Sequence, residues 1–180
     1  MWSSQNKRTT KIKMKAYPKT YTDTCNECPS IPSGCTLHVK TFDQFTCDEL
    51  YELLRIRSEV FIVEQNCVYQ DLDNHDQTAI HLWLTHGDKV VALCRVCPAG
   101  TKMRSVSIGR VITTERGKGY GLSIVKSAIA IARERLEEVG HIDIEAQLTK
   151  KAFYEKLGFV ATSEPFMMEG LYHLDMKLTF

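Results

Sequence analysis

The sequence has no run of about 18 apolar residues, and its N-terminus lacks the uninterrupted apolar core of a signal peptide. These absences exclude an apolar spanning helix and a secretory leader, and they predict a soluble, cytoplasmic protein. Net charge is scarce too: 23 basic side chains face 22 acidic ones, a balance of +1. No global field therefore recruits nucleic acid or an anionic membrane, and a small molecule is the expected partner. Seven cysteines cannot all pair. Cys47, Cys67, Cys94 and Cys97 sit in segments patterned as helix or strand, which argues for reduced thiols. Cys25-x-x-Cys28, with Cys35 beyond it, lacks a fourth ligand at zinc spacing, because His38 falls inside a predicted strand; no metal site is expected.

What is present is enough for one core. At 180 residues and 43% hydrophobic composition the chain makes a single domain. Residues 1–33 stand apart as a flexible arm: Lys7, Arg8, Lys11, Lys13 and Lys15 precede any acidic residue, and Pro18, Pro29 and Pro32 follow. From residue 34 the pattern is regular. Leu37, Val39 and Thr41 alternate as in a half-buried strand. Thr46-Cys47-Asp48-Glu49 is a capping box that opens a helix with Leu50, Leu53, Leu54, Val60 and Phe61 on one face. Residues 79–86 and 89–96 flank Gly87-Asp88, a hairpin signature, and 104–113 form a further strand. Leu122, Val125, Ile129, Ala132 and Leu136 predict a long helix ending near Gly140. A short strand (142–146), a short helix (150–157) and two strands (159–162 and 171–178) complete the chain. The order predicts an α/β fold in one layered domain: a mixed, mostly antiparallel sheet of about six or seven strands flanked by helices.

The strand through Arg110-Val111-Ile112-Thr113 enters Arg116-Gly117-Lys118-Gly119-Tyr120-Gly121 and then the long helix. A turn without bulky side chains at a helix N-terminus collects N–H groups and the positive end of the dipole, which suits a phosphate or pyrophosphate. No Lys-Ser pair follows Gly121, so this is not a P-loop. Nor are the glycines spaced Gly-x-Gly-x-x-Gly after a first strand, as dinucleotide binding needs. The run resembles the Arg/Gln-x-x-Gly-x-Gly/Ala signature of GNAT acetyltransferases, with Arg116, Gly119 and Gly121 at its fixed positions. Phe153-Tyr154-Glu155-Lys156-Leu157-Gly158-Phe159 is similar to the family's later Phe-Tyr-x-x-x-Gly-Phe marker. The segment from Leu54 to Asp73, together with Ala146-Gln147, Glu169-Gly170, His173 and Met176, looks like the ElaA-like branch. One departure is that only Thr114 and Glu115 separate Thr113, where the resemblance places the bulged strand, from Arg116.

That resemblance implies acetyl-CoA as co-substrate, held by Val111, Ile112, Thr113, Arg116, Gly117, Lys118, Gly119, Tyr120, Gly121 and Phe153. It implies direct attack of a primary amine on the thioester, with backbone N–H groups near Val111 to Thr113 holding the oxyanion. Tyr154 matches the acid that protonates the leaving thiolate, and Glu145, on the strand after the long helix, is the first choice of base. The acceptor contacts are expected among Arg57, Glu64, Gln65, Asp73, His81, Gln147 and His173, with Asp71 and Asp76 nearby. Arg57 falls on the apolar stripe of its helix, so it is either an internal ion-pair partner of Glu145, Asp73 or a helix end, or an anion-binding residue for the acceptor. Glucosamine 6-phosphate is the favoured acceptor. A polyamine or other small amine, a peptide, and a non-catalytic acetyl-CoA-binding module remain alternatives, and the family's C-terminal strands leave a homodimer open.

Overall fold

A computed structural model describes residues 31–136 and 139–180. Most of the basic arm, including Cys25 and Cys28, lies outside them. Among the described residues Ile31 packs against the main core, and Cys35 N–H donates to Pro32 O at 3.0 Å.

Among the described residues eight strands form one sheet. In chain order the elements are β1 (Cys35–Thr41), α1 (Cys47–Arg57) continuing into a π-helical segment (Ser58–Glu64), β2 (Ile80–His86), β3 (Lys89–Cys97), β4 (Val106–Thr113), α2 (Tyr120–Arg135), β5 (His141–Gln147), α3 (Lys151–Glu155), β6 (Val160–Ala161), β7 (Phe166–Met168) and β8 (Leu171–Thr179). The spatial order is β1-β2-β3-β4-β5-β8-β6, with β7 also on β8. Every pairing is antiparallel except β4 with β5. The strand absent from the sequence-based expectation is β7. Its three residues, Phe166-Met167-Met168, are too short and too uniform to alternate, and the turn at Glu169-Gly170, with φ of 51° and 80°, is what folds them back on β8.

The local signals act as expected. Glu49 N–H donates to Thr46 Oγ1 at 3.2 Å and Thr46 N–H to Glu49 Oε2 at 3.0 Å, closing the capping box of α1. One face of the sheet buries Leu82, Leu84, Cys94 and Val96 against Ile124, Val125, Ala128, Ile131 and Ala132 of α2. The other buries Trp83, Leu93 and Ile112 against Leu53 and Ile56 of α1. Each of the larger aliphatic side chains among them stabilises the fold by about 1.5–3 kcal/mol when taken from water. Helix α2 stops short of Gly140, because Leu136 is already extended (φ −105°, ψ 143°) and tucks its side chain inward.

Between β2 and the π-helical segment runs a loop without regular strands or long helices, anchored by charge. Arg57, at the end of α1, is 3% exposed; its Nε donates to Asp71 Oδ2 (2.9 Å), its Nη1 to Asp76 Oδ1 (2.7 Å) and its Nη2 to Asp71 O (3.0 Å). Arg95 of β3, 1% exposed, donates to both oxygens of Asp73 at 2.7 Å and to Asp76 Oδ1 at 2.9 Å. Arg110 of β4 places Nε 2.7 Å from Asp71 Oδ1 and Nη2 3.1 Å from Asp73 Oδ2. Three guanidiniums and three carboxylates thus neutralise one another inside the protein. Burial alone raises the Asp73 carboxyl, but Arg95 and Arg110 outweigh it and hold Asp73 well below the usual carboxylate range; Arg57 and Arg95 do the same for Asp76.

Because removing one partner strands a buried charge, Asp76→Asn is expected to cost about 3–5 kcal/mol in urea unfolding. Folded pKa values below the unfolded ones mean that the stability from Asp73 and Asp76 is complete above about pH 4 and is lost as the pH falls through the folded values. Asp73→Asn should therefore flatten the acid limb of the stability curve, and an unchanged limb would contradict this assignment.

Candidate active site

The site begins where the sheet comes apart. Parallel β4 and β5 pair only at Val106 with Ile142 and Ser107 with Asp143, after which the strands diverge. β4 also carries one extra residue against β3: Leu93 faces Ile112 while Arg95 faces Gly109, so Arg110 and Val111 together oppose Cys94. Arg110 adopts φ 54°, which costs a residue with a Cβ about 1–2 kcal/mol. The bulge therefore lies at Arg110 and not at Thr113. Counted from it, Val111 to Glu115 intervene before Arg116, so the approach to the glycine turn is not shortened.

A cleft of about 180 Å³ opens at this fork, lined by Ile108 to Val111 on one side and by Glu145, Ala146 and Gln147 on the other. Phe61, Gln65, Cys67, Tyr69, Lys150, Tyr154, Met168, Glu169, Leu171 and His173 complete its lining, with Lys102 from the β3–β4 connection. Lys102 Nζ is ion-paired with Glu145 Oε2. Gln147 Nε2 donates to Gln65 Oε1 at 2.8 Å, bridging strand β5 and the loop that follows the π-helical segment. Cys67 Sγ donates to Glu169 O at 2.7 Å, joining that loop to the β7–β8 turn. The Tyr154 ring packs edge-on against Phe153 and Phe159, and burial pushes its phenol well above the ordinary value.

Next to the fork lies the glycine turn. Gly117 and Gly119 both have φ 79°, and nothing lies within 4 Å of where a Cβ on either would stand. Gly119 caps α2 with no side-chain hydrogen bond, so the first-turn N–H groups are available to an anion. At Gly121 a Cβ would meet Thr113 Cγ2 at 3.3 Å and the Phe153 ring at 3.6 Å, so the missing side chain lets β4, α2 and α3 close together. Arg116 is ion-paired with Glu64, and Lys118 with Glu115 at 2.6 Å, all four on the surface. These features accommodate the pyrophosphate of a coenzyme A thioester, while the cleft has room for its acyl end and a small acceptor.

The expected site residues divide. Tyr154, Glu145, Gln65, Gln147, His173 and Val111 come together around the cleft. Arg57 and His81 do not line it: they border a separate void of about 10 Å³, room for one water at most. The Arg57 partners are Asp71 and Asp76, not Glu145 or Asp73. His81 Nε2 is 2.9 Å from Asp76 O, and burial lowers its pKa. Asp73 is held by Arg95 and Arg110, and Glu64 points to Arg116 at the glycine turn. Ile112 and Tyr120 bury their side chains in the core, leaving only backbone for a ligand. Lys102, Cys67, Arg110 and Glu169 enter the cleft unanticipated. They lie in connections or at a bulge; Cys67, expected within a patterned segment, stands in the irregular loop after the π-helical segment.

The model of the "Acetyltransferase (GNAT) domain" family matches residues 43–180. The chain belongs to the GNAT acetyltransferase family. Within it the chain is ElaA/UPF0039-like: Escherichia coli ElaA is 31% identical over 137 residues, covering 74% of this chain and 89% of ElaA. A UPF0039 protein of Schizosaccharomyces pombe is 30% identical over 142 residues, covering 77% and 93% of the two chains. Among solved structures, an acyl-CoA N-acyltransferase from Pseudomonas aeruginosa superposes with TM-score 0.73 at 31% identity, covering 81% of this chain and 99% of the other. A GNAT acetyltransferase from Elizabethkingia anophelis with acetyl-CoA bound shares the fold, with TM-score 0.57 at 16% identity and coverage of 82% and 99%. This GNAT domain has the acyltransferase fold, and an acyl-CoA thioester is its implied co-substrate. Among the described residues no cluster of His, Cys, Asp and Glu could hold a metal ion, and no helix is long and apolar enough to cross a membrane.

Gly119→Ala is expected to weaken coenzyme A binding in calorimetry. A Cβ at φ 79° is relieved by rotating the peptide away from the anion, and losing about one charge-assisted hydrogen bond, roughly 1.4 kcal/mol, raises Kd about tenfold. An unaltered Kd would place the pyrophosphate elsewhere.

Proposed function

We propose that the protein is an acetyl-CoA-dependent N-acetyltransferase that moves the acetyl group to a primary amine by direct attack. The observation that carries the reading is Tyr154 and Glu145 lining one cleft at the β4–β5 fork, beside the glycine turn. The amine nitrogen bonds to the acetyl carbon and the carbon–sulfur bond breaks. Glu145, kept in place by Lys102, accepts the ammonium proton directly or through water. Backbone N–H groups beyond the bulge, from Val111 to Thr113, stabilise the oxyanion. Tyr154 gives its proton to the departing thiolate and is reprotonated by solvent, and the attacking nitrogen releases its second proton to solvent as the tetrahedral intermediate collapses to the amide. Its raised pKa keeps the phenol protonated across the neutral range, the state an acid requires.

The acceptor we favour is a small primary amine. Arg57, the residue expected to hold the phosphate of glucosamine 6-phosphate, spends its donors on Asp71 and Asp76, whereas the cleft offers the carboxylates Glu145 and Glu169 and the amides Gln65 and Gln147. A panel of spermidine, short peptides and glucosamine 6-phosphate tests this choice, with coenzyme A release as readout. If no amine accelerates release, the protein is a non-catalytic acetyl-CoA-binding module.

Tyr154→Phe should lower kcat by about 100-fold or more with a smaller change in the KM for acetyl-CoA. In the wild type, kcat should show no alkaline fall from phenol ionisation below about pH 10, because the folded pKa is raised above the ordinary tyrosine value. Retained turnover in the phenylalanine variant would remove Tyr154 from the mechanism.

A further inference from the structure

The bulge of β4 is held open by a side chain whose partners belong to another part of the chain. In the middle of a strand, Arg110 takes a left-handed conformation, φ 54°, that a residue with a Cβ keeps only when its surroundings impose it. Those surroundings are specific. The guanidinium lies 2.7 Å from Asp71 Oδ1 through Nε, and its Nη2 donates to Asp71 O at 3.0 Å and to Asp73 Oδ2 at 3.1 Å. Its carbon sits 5.9 Å from the centroid of Phe61 and 5.5 Å from that of Tyr69, and the Tyr69 hydroxyl donates to Asp71 Oδ1 at 3.1 Å. Phe61, Tyr69 and Arg110 all line the cleft. One side chain therefore connects the wall that faces the acceptor with the strand segment that faces the acyl group.

We propose that Arg110 is a positioning residue for acyl transfer: it ties the loop of residues 65–79 to the β4 bulge, so that the Gly109–Val111 main chain is aligned only while that loop is docked. This rests on the N-acetyltransferase reading above. Loss of the tie leaves the glycine turn, on the far side of Thr113, untouched, so binding of the thioester and its reaction separate. Asp71 and Asp73 remain neutralised in part by Arg57 and Arg95, so the loop loosens without unfolding the domain.

Glycine distinguishes the tie from a purely conformational need, because Arg110→Gly adopts φ 54° freely yet removes the guanidinium. Kinetics of wild type, Arg110→Gly and Arg110→Lys are measured with acetyl-CoA and the best amine of the panel, alongside amide hydrogen exchange of each protein. The expected result is a kcat about 10–100-fold lower in Arg110→Gly, with the KM for acetyl-CoA within about threefold of wild type. Lysine, which keeps the charge but not the fork, restores part of the rate. Residues 65–79 and 106–113 should exchange faster together in the glycine variant, while α2 is unchanged. Wild-type kcat in Arg110→Gly overturns the proposal, as do unaltered exchange in the two segments and a lysine variant no faster than glycine. If Arg110→Gly does not fold, Arg110→Lys must still show a lowered kcat at near-constant KM, and a wild-type value overturns the proposal. A wild type that turns over no amine defeats the functional reading alone, and the exchange measurement then decides the role of Arg110.

Discussion

Three arginines and three aspartates, of which Arg57, Arg95, Asp71 and Asp76 are buried and Arg110 and Asp73 half-buried, form the charge-balanced cluster that anchors the loop beside the site. Arg57 ends α1, Arg95 lies in β3 and Arg110 in β4, while Asp71, Asp73 and Asp76 share one irregular loop. Such a set is costly to desolvate, and each lost member leaves its partners less fully neutralised in a medium of low dielectric constant. The consequence is geometric. A loop with few apolar anchors is fixed against both α1 and the middle of the sheet, and its Tyr69 and Gln65 become one wall of the cleft.

The opposite wall owes its shape to the sheet. Parallel β4 and β5 share only two paired positions, and the bulge at Arg110 turns β4 further from its neighbour. The gap leaves main-chain groups of β4 facing the cleft and sets Tyr154 of α3 across from them. Beside it, Gly117 and Gly119 supply the left-handed turns that end in the open first turn of α2, and the bare Cα of Gly121 permits Thr113 and Phe153 to meet. Anion-favouring and cation-favouring groups are thus built by separate means: a helix terminus collects N–H groups, while side-chain carboxylates and amides line the cleft.

Much of this was legible in advance wherever the signal was local. The Thr46-Glu49 box, the Gly87-Asp88 hairpin, the apolar stripe of α2 and the Gly-rich turn each depend on residues within a few positions of one another, and each stands where its pattern put it. Local pattern is silent where a feature is set by distant contacts. β7 has no periodicity of its own and exists as a strand because β8 is there to pair with it. Arg57 was recognised as inward-facing from its place on the helix, but its partners, 14 and 19 residues on, were settled by how the loop folds back. His81 and Asp73, plausible acceptor contacts by chain position, went into that same network. Lys102 meets Glu145 across 43 residues, with nothing in either segment to announce it.

The sequence by itself determined the layered α/β domain and the glycine turn, because capping, hydrophobic period and glycine conformation act over short stretches and need no partner from elsewhere, and its motifs carried the resemblance to the family. Tertiary structure alone decided which polar residues face the cleft and which neutralise one another beneath it. Asp, Arg and His of identical local pattern differ only in what distant segments bring within hydrogen-bonding reach, and burial makes that pairing obligatory.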